Sequence, residues 1–485
     1  MKLVLNGHDE RYVVEQGMLN LFPGERPVYE PIGPGDDSWA VVTLREDDRC
    51  HVTVELCFRG KSLPYSLDVP LVGDEFQREG IRRRAIGKCF FLAARALTGH
   101  TPPWGMLTGV RPVKLPTRAL LSGATPLQAK QELREEYYVS PDRAALAVDC
   151  AQASIAAQRS LKEGEVSLYL GIPFCPTRCA YCSFVSADVG RTLTLVEPYV
   201  DALLKEIDGT ARVLTESGRT IRSFYMGGGT PTTLSARQLD RVLTRCEQVL
   251  PLEGCTELTV EAGRPDTINR EKLEVLRAHG VGRVSINPQT LEDHVLEAIG
   301  RKHSSGDIQT AYDLARKVGF DCINMDLIAG LPLDSLDGFR RSLDGVLAMG
   351  PENITVHTLA MKKGSTLIQR KGALPGGEEV AQMLDYSRTT LSGGYLPYYL
   401  YRQKYMSGSL ENVGWARPGT ESLYNIVMME ELHTVISLGA GGVTKLIDPQ
   451  SGRLLRLSNP KYPQDYLSAG EKLAEQQREM LAFFR

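Results

Sequence analysis

Hydrophobic positions change their spacing along this chain, and each change marks a different kind of structure. Within about the first sixty residues, apolar and β-branched positions alternate with polar ones at 39–44 and 51–56, between turns rich in Gly, Pro and Asp, which predicts strands. From about 74 to 97 the period becomes helical, with Phe76, Ile86, Phe90, Leu92 and Ala94 among its apolar members. Helical segments continue past the break at 101–105 to about residue 162. Strand-like runs then appear at 166–171, 221–226, 257–261, 283–286, 322–328 and 353–358. Amphipathic stretches at 198–214, 236–250, 270–279, 308–318 and 336–347 separate them. This alternation predicts an α/β fold with parallel strands and right-handed crossovers. Six such units make a partial (β/α)6 barrel, whose chemistry belongs at the C-terminal ends of the strands. Past about residue 366 the alternation is lost. The expected division is an α+β N-terminal accessory domain at 1–163, a core barrel at 164–365 and a mixed C-terminal segment at 366–485.

Composition narrows the class of protein. Apolar residues at 42% and charged residues at 24% suit a soluble globular protein. A net charge of −3 gives no global pull toward nucleic acid or anionic membrane. No apolar run is long enough to span a bilayer, and the polar, strand-like start from Met1 to Gly7 is no secretory signal, so a cytoplasmic location is expected. The helix at 74–97 carries Arg78, Arg82, Arg83, Arg84 and Lys88, either a solvated face or a docking site for an anionic ligand or RNA.

Cysteine usage carries the chemistry. In a reducing compartment, clustered cysteines are metal ligands or catalytic groups rather than disulfides. Of ten cysteines, Cys50, Cys57, Cys89, Cys150, Cys246, Cys255 and Cys322 are scattered and read mostly as small buried hydrophobes. Cys175, Cys179 and Cys182 instead form a C-x3-C-x2-C loop directly after the first barrel strand. Chance matches to that spacing number about 0.004 in a chain of this composition. Structural zinc would want four closed ligands, usually as two pairs, and no second pair is present. Three thiolates on a [4Fe–4S] cube leave one iron open, a position that S-adenosylmethionine (SAM) can fill through its amino and carboxylate groups.

The run from Tyr169 to Phe184, with the Gly227-Gly228-Gly229-Thr230-Pro231-Thr232 turn after the second strand, resembles the radical SAM superfamily. Within it, the chain is similar to the oxygen-independent coproporphyrinogen III oxidase family. The likeness covers about residues 166–361 and, more weakly, the tail. Leu107-Thr108-Gly109-Val110-Arg111-Pro112 in the N-terminal extension resembles the HemZ-type coproporphyrinogen dehydrogenase branch. The resemblance implies a radical SAM barrel whose cluster ligands are Cys175, Cys179 and Cys182. It assigns Gly228, Gly229 and Thr230 to the methionine part of SAM, where residues without Cβ admit a ligand to backbone N–H groups. Glu261 matches a SAM-binding carboxylate, Gln289 the family's Gln after the fourth strand, and Arg301 an Arg suited to pair with the SAM carboxylate. Asp326 matches a residue facing nucleoside hydroxyls, Ala360 a backbone contact to adenine, and Tyr169 and Tyr181 aromatic positions beside the cluster and SAM. Ser437 to Val443 resembles a family turn near the adenine and lacks dinucleotide-binding spacing. Tyr398, Tyr399, Tyr401, Arg402 and Lys404 either line a tetrapyrrole pocket or simply pack.

For that family the implied reaction is oxidative decarboxylation of two propionates of coproporphyrinogen III to vinyl groups, giving protoporphyrinogen IX. The C-terminal segment would cover the substrate, and a flavodoxin or ferredoxin would supply electrons. Three departures stand out. Gly263-Arg264-Pro265 follows Glu261-Ala262, where the family usually reads Glu-Ala-Asn-Pro. Asn287-Pro288 replaces Gly-Val before Gln289. Phe184 occupies the place of a further cysteine found in established decarboxylating members. The last replacement also occurs in relatives resembling heme chaperones. It therefore leaves three readings: the dehydrogenase, a heme-binding or heme-delivery protein on the same scaffold, and another radical SAM reaction such as RNA modification or anaerobic heme breakdown.

Overall fold

The computed structural model describes residues 1–182, 187–360, 374–403, 407–449 and 451–485. They form two compact units, one of Met1–Val148 with Gly408–Leu410, the other of Asp149–Ser407 with Glu411–Arg485.

In the first unit, β1 (Lys2–Asn6) pairs parallel with β2 (Ser38–Glu46), and β3 (Arg49–Phe58) and β4 (Lys61–Pro70) follow antiparallel. Period-2 alternation turns Ala40, Val42 and Leu44 of β2 and Val52, Val54 and Leu56 of β3 into one core with Ile86, Cys89 and Phe90. Those last three lie on the helix Glu75–Thr98. It starts at a reciprocal cap between Asp74 and Gln77 and stops at Gly99, whose φ of 68° is left-handed. The basic face of this helix is solvated and paired. Arg82 meets Glu46 and Glu75 at 2.7 and 2.6 Å, Arg83 meets Glu10 at 3.0 Å, and Lys88 meets Glu136 at 3.1 Å.

The second unit contains β5 (Glu165–Ile172), a short ribbon of β6 (Phe174–Cys175) and β7 (Ala187–Asp188), then β8 (Thr220–Gly228), β9 (Glu257–Glu261), β10 (Arg283–Ser285), β11 (Cys322–Ala329) and β12 (Asn353–Thr358). The tail adds β13 (Leu396–Tyr401), β14 (Asn412–Ala416), β15 (Val435–Leu438), β16 (Val443–Ile447) and β17 (Leu454–Ser458). Among the described residues, eleven strands form one sheet in the order β13-β14-β12-β11-β10-β9-β8-β5-β15-β16-β17. From β5 through β8 to β12 the strands run parallel, which is the expected six-unit core, and the sheet does not close. Helices cover it, and their starts are marked by side-chain caps such as Ser235 with Gln238 and Ser304 with Asp307. One expected boundary moves: the helix anticipated at 198–214 spans Val189–Glu216, with Pro198 inside it and a non-helical Thr192 (φ −126°) near its start.

The tail is not a separate layer. β14 pairs antiparallel with β12 on one side, while β15 pairs parallel with β5 on the other, Val435 opposite Ser167 and Leu438 opposite Leu170. At the end of β15, Gly439 has φ 87°, and a Cβ there would lie 2.4 Å from the Gly171 carbonyl oxygen. A buried carboxylate fixes this turn. Glu206 accepts hydrogen bonds from the Gly439 N–H at 2.8 Å, the Asn459 amide at 2.7 Å and the Tyr466 hydroxyl. Tyr199 donates to the Gly171 oxygen at 2.6 Å and accepts from the Ala440 N–H at 3.0 Å.

Among the described residues, no helix is long and apolar enough to cross a membrane. Six of the seven scattered cysteines are buried, and Cys255 is partly exposed.

Candidate active site

The C-terminal ends of the parallel strands surround a cavity of about 350 Å³, a size suited to a small-molecule ligand. Strand alternation explains which side chains reach it. Asn324, Asp326 and Ile328 of β11 point one way, as do Thr355 and His357 of β12 and Tyr399 and Tyr401 of β13. Tyr398 and Arg402, on the opposite parity, do not line the cavity, and Lys404 lies outside the described residues.

Cys175, Cys179 and Cys182 stand together on one wall, each partly exposed. Their loop is fixed from both ends. Cys182 N–H donates to the Cys179 carbonyl at 3.1 Å and Ala180 N–H to the Ile299 carbonyl at 2.9 Å. The Thr230 N–H reaches the Phe174 carbonyl at 2.7 Å. The Thr230 hydroxyl lies 3.5 Å from the Cys175 sulfur. Phe184 lies outside the described residues.

Gly228, Gly229 and Thr230 continue the wall at the end of β8. Gly229 is required sterically, since a Cβ would fall 2.5 Å from the Phe174 carbonyl oxygen. Next to it, Tyr225 donates to Glu261 at 2.7 Å. Burial is the main cause that pushes the Glu261 carboxyl up to about 7, with the Tyr225 bond opposing and nearby Asp326 adding to the rise. Burial also acts on Asp326, but its pairing with His357, together with bonds from Asn324 and Thr355, outweighs that and holds it below the usual carboxylate range. Near neutral pH Asp326 is therefore ionised while Glu261 is in the middle of its titration.

Arg301 is buried and donates to the Asn287 carbonyl at 2.6 Å, the Gly263 carbonyl at 3.3 Å and the Tyr181 hydroxyl at 3.2 Å, while its Nε has no hydrogen-bond partner among the described residues. Gln289 adopts φ 70°, which is uncommon for a residue with a side chain. It is held there by its N–H bond to the Asp326 carbonyl at 2.8 Å. Ala360 also lines the cavity. Tyr169 does not. Its ring packs beside the stacked pair of Tyr225 and Tyr424, whose centroids are 4.5 Å apart, with its own centroid 6.3 Å from each.

Other residues line the cavity: Arg264 and Asn287, noted in the sequence only as departures from the family pattern, and His357, Gln403, Asn412, Asn425 and Met429, which the sequence did not single out. Asn425 and Met429 belong to the helix Leu423–Glu430, whose first turn is held by Glu257 through the Ser422 hydroxyl and the Leu423 N–H. The period-2 pattern of β12 could have flagged His357 beside Thr355; nothing local could have placed Asn425.

The residues present fit an iron–sulfur cube with SAM. Cys175, Cys179 and Cys182 share the lining of one cavity, and thiolates are the usual ligands of such a cube. The orphaned Arg301 Nε and the unpartnered Asn287 Oδ1 leave a donor and an acceptor for a zwitterionic ligand beside that loop.

Fold and site together define a radical SAM protein, and the model of the radical SAM superfamily matches residues 169–344. The oxygen-independent coproporphyrinogen-III oxidase-like protein HemZ of Bacillus subtilis (strain 168) is 38% identical over 477 residues, covering 96% of this chain and 95% of that protein. The chain belongs to this HemZ-like family of coproporphyrinogen-III oxidase-like proteins. Heme chaperone HemW of the same organism is 32% identical over 266 residues, 54% of this chain and 66% of that protein. The solved structure of coproporphyrinogen III oxidase (HemN) from Escherichia coli has the same fold, with TM-score 0.53 and 24% identity over 67% of this chain and 73% of that one.

Proposed function

We propose that the protein is a cytoplasmic radical SAM dehydrogenase that converts propionates of coproporphyrinogen III to vinyl groups, taking electrons from a flavodoxin or ferredoxin. The observation that carries this reading is the single cavity that runs from three cysteines, past Glu261, Arg301 and Asp326, to a far wall of Tyr399, Tyr401 and His357. When bound, the cluster and SAM would supply a 5′-deoxyadenosyl radical able to abstract hydrogen from a propionate β-carbon, after which loss of CO2 and transfer of one electron to an external one-electron acceptor would leave a vinyl group. In this reading Cys175, Cys179 and Cys182 hold the cluster, and Gly228, Gly229 and Thr230 receive the methionine part of SAM. Glu261 accepts the SAM ammonium and Arg301 its carboxylate. Asp326, ionised, accepts from the ribose hydroxyls, Ala360 meets the adenine through its backbone, Gln289 and Tyr181 shape the surrounding wall, and Tyr169 backs the Gly228 turn from outside the cavity. Tyr399, Tyr401 and His357 face the substrate and help exclude water.

Anaerobic incubation with coproporphyrinogen III, SAM and a low-potential reductant is the direct test. Mono- and divinyl products are expected; SAM consumption by cluster-loaded protein without any vinyl product would remove the dehydrogenase reading. The second reading, heme delivery, is favoured by Phe184 standing where decarboxylating members have a further cysteine. It predicts stoichiometric heme uptake, with a Soret shift, and transfer to an acceptor.

The position of Glu261 predicts a pH signature. A carboxyl raised to about 7 must lose its proton to take an ammonium, so SAM affinity is expected to fall by up to about tenfold per unit as pH drops below 7. Without SAM the sign is reversed. The raised value favours the folded state fully below the ordinary carboxyl range, and that contribution is lost as pH rises through about 7. Glu261→Gln should flatten both trends. Calorimetric SAM titrations between about pH 6 and 8 measure the first, and an equally steep slope in Glu261→Gln counts against the assignment.

A further inference from the structure

Arg264 is only 3% exposed, yet its guanidinium is turned toward the cysteine loop. Nη1 lies 3.6 Å from the Cys179 sulfur and 3.3 Å from the Thr177 carbonyl, and Nη2 lies 3.1 Å from the Thr177 hydroxyl. On its other side Asp266 accepts from Nε at 3.1 Å and from Nη2 at 3.0 Å, a fork-to-fork pair. Asp266 is the more exposed partner, at 26% against 3% for the Arg264 side chain. The pair is therefore a dipole with its positive end on the cysteine loop. His303 lies beside it, 3.8 Å from Asp266; burial, with Arg301 and Arg264 adding to it, pushes the imidazole down to about 4, so it contributes no charge at neutral pH.

We propose that Arg264 is a positioning residue that raises the reduction potential of the cluster by donating a hydrogen bond to the Cys179 thiolate, with Asp266 moderating its charge. The inference rests on the cluster reading above. One-electron reduction of a [4Fe–4S] centre adds negative charge to the cube and its sulfur ligands. A fixed cation and an N–H donor at one sulfur stabilise that charge more than the oxidised state. Arg264 also ties Thr177 to the segment after β9, so the thiolate and its donor are held by the same contact.

Redox titration of anaerobically reconstituted full-length protein, followed by electron paramagnetic resonance of the reduced cluster, tests this. Arg264→Gln is expected to shift the midpoint to more negative potential with iron and sulfide content retained. Arg264→Lys keeps the charge but loses the planar fork, and should fall between Gln and wild type. Asp266→Asn leaves Arg264 uncompensated and should shift the midpoint the opposite way, to more positive potential. A purely structural brace would lower cluster occupancy in all three without opposite shifts. If Arg264→Gln fails to hold iron, the Lys and Asp266→Asn variants decide. Loaded variants with unmoved potentials overturn the inference alone, whereas a wild type that takes up no iron or sulfide overturns the cluster reading as well.

Discussion

Cys179→Ala is expected to reduce bound iron and sulfide from about four of each per chain to background, and to abolish reductive cleavage of SAM. Cys179 lines the cavity together with the other two ligand positions, and its backbone carbonyl receives the Cys182 N–H at 3.1 Å. Alanine retains that backbone bond, so the loop can keep its shape while losing one thiolate. The loss should therefore be chemical rather than a failure to fold. Cys246→Ala is the matching control. That thiol is buried on the inner face of the helix Ala236–Val249, where desolvation pushes it up to about 12, and it is expected to leave iron content unchanged. Iron and sulfide analysis, visible absorption and 5′-deoxyadenosine release after anaerobic reduction read out the comparison. A Cys179→Ala protein that keeps a full cluster and its SAM cleavage would rule out the ligand assignment.

The largest expected loss of stability is at Glu206. Replacing it with alanine strands three buried donors: the Gly439 N–H, the Asn459 amide and the Tyr466 hydroxyl. Each unsatisfied buried group costs about 1–3 kcal/mol, so a loss of at least about 3 kcal/mol is expected. Burial raises the Glu206 carboxyl above its ordinary value, although all three donors oppose the shift. Its titration therefore favours the folded state at low pH, and that part is lost as pH rises through the elevated value. Glu206→Gln keeps one acceptor oxygen and should destabilise less than Ala. Thermal and denaturant unfolding measure both variants. An Ala variant that melts with the wild type would show that these bonds do not hold the turn.

Much of the second unit is legible in the sequence because its determinants are local. Strands covered on both faces read as short apolar runs, which placed β5 and β8 to β12 within two residues of their observed ends. Ser235 with Gln238 and Ser304 with Asp307 are start signals that need no knowledge of the rest of the chain. The three thiols were equally legible, since their spacing alone is improbable by chance. What could not be read is pairing across long separations. Val435–Leu438 looks like any short apolar run, and only the completed sheet makes it the partner of β5. Arg264 had no local signal beyond being out of place after Glu261; its importance comes from where Thr177 and Cys179 lie in space. Tyr399 and Tyr401 were separable from Tyr398 only once the strand's facing was known.

The seating of β15 against β5 has a consequence for how the protein matures in the cell. Glu165–Ile172 leads directly into the cysteine loop, yet one of its two edges stays bare until Val435–Leu438 has been synthesised. A nascent chain on the ribosome thus exposes its ligand thiols for most of its synthesis on an unfinished sheet edge. Metal loading should follow translation rather than accompany it, and chains stalled before residue 435 should be recovered without iron.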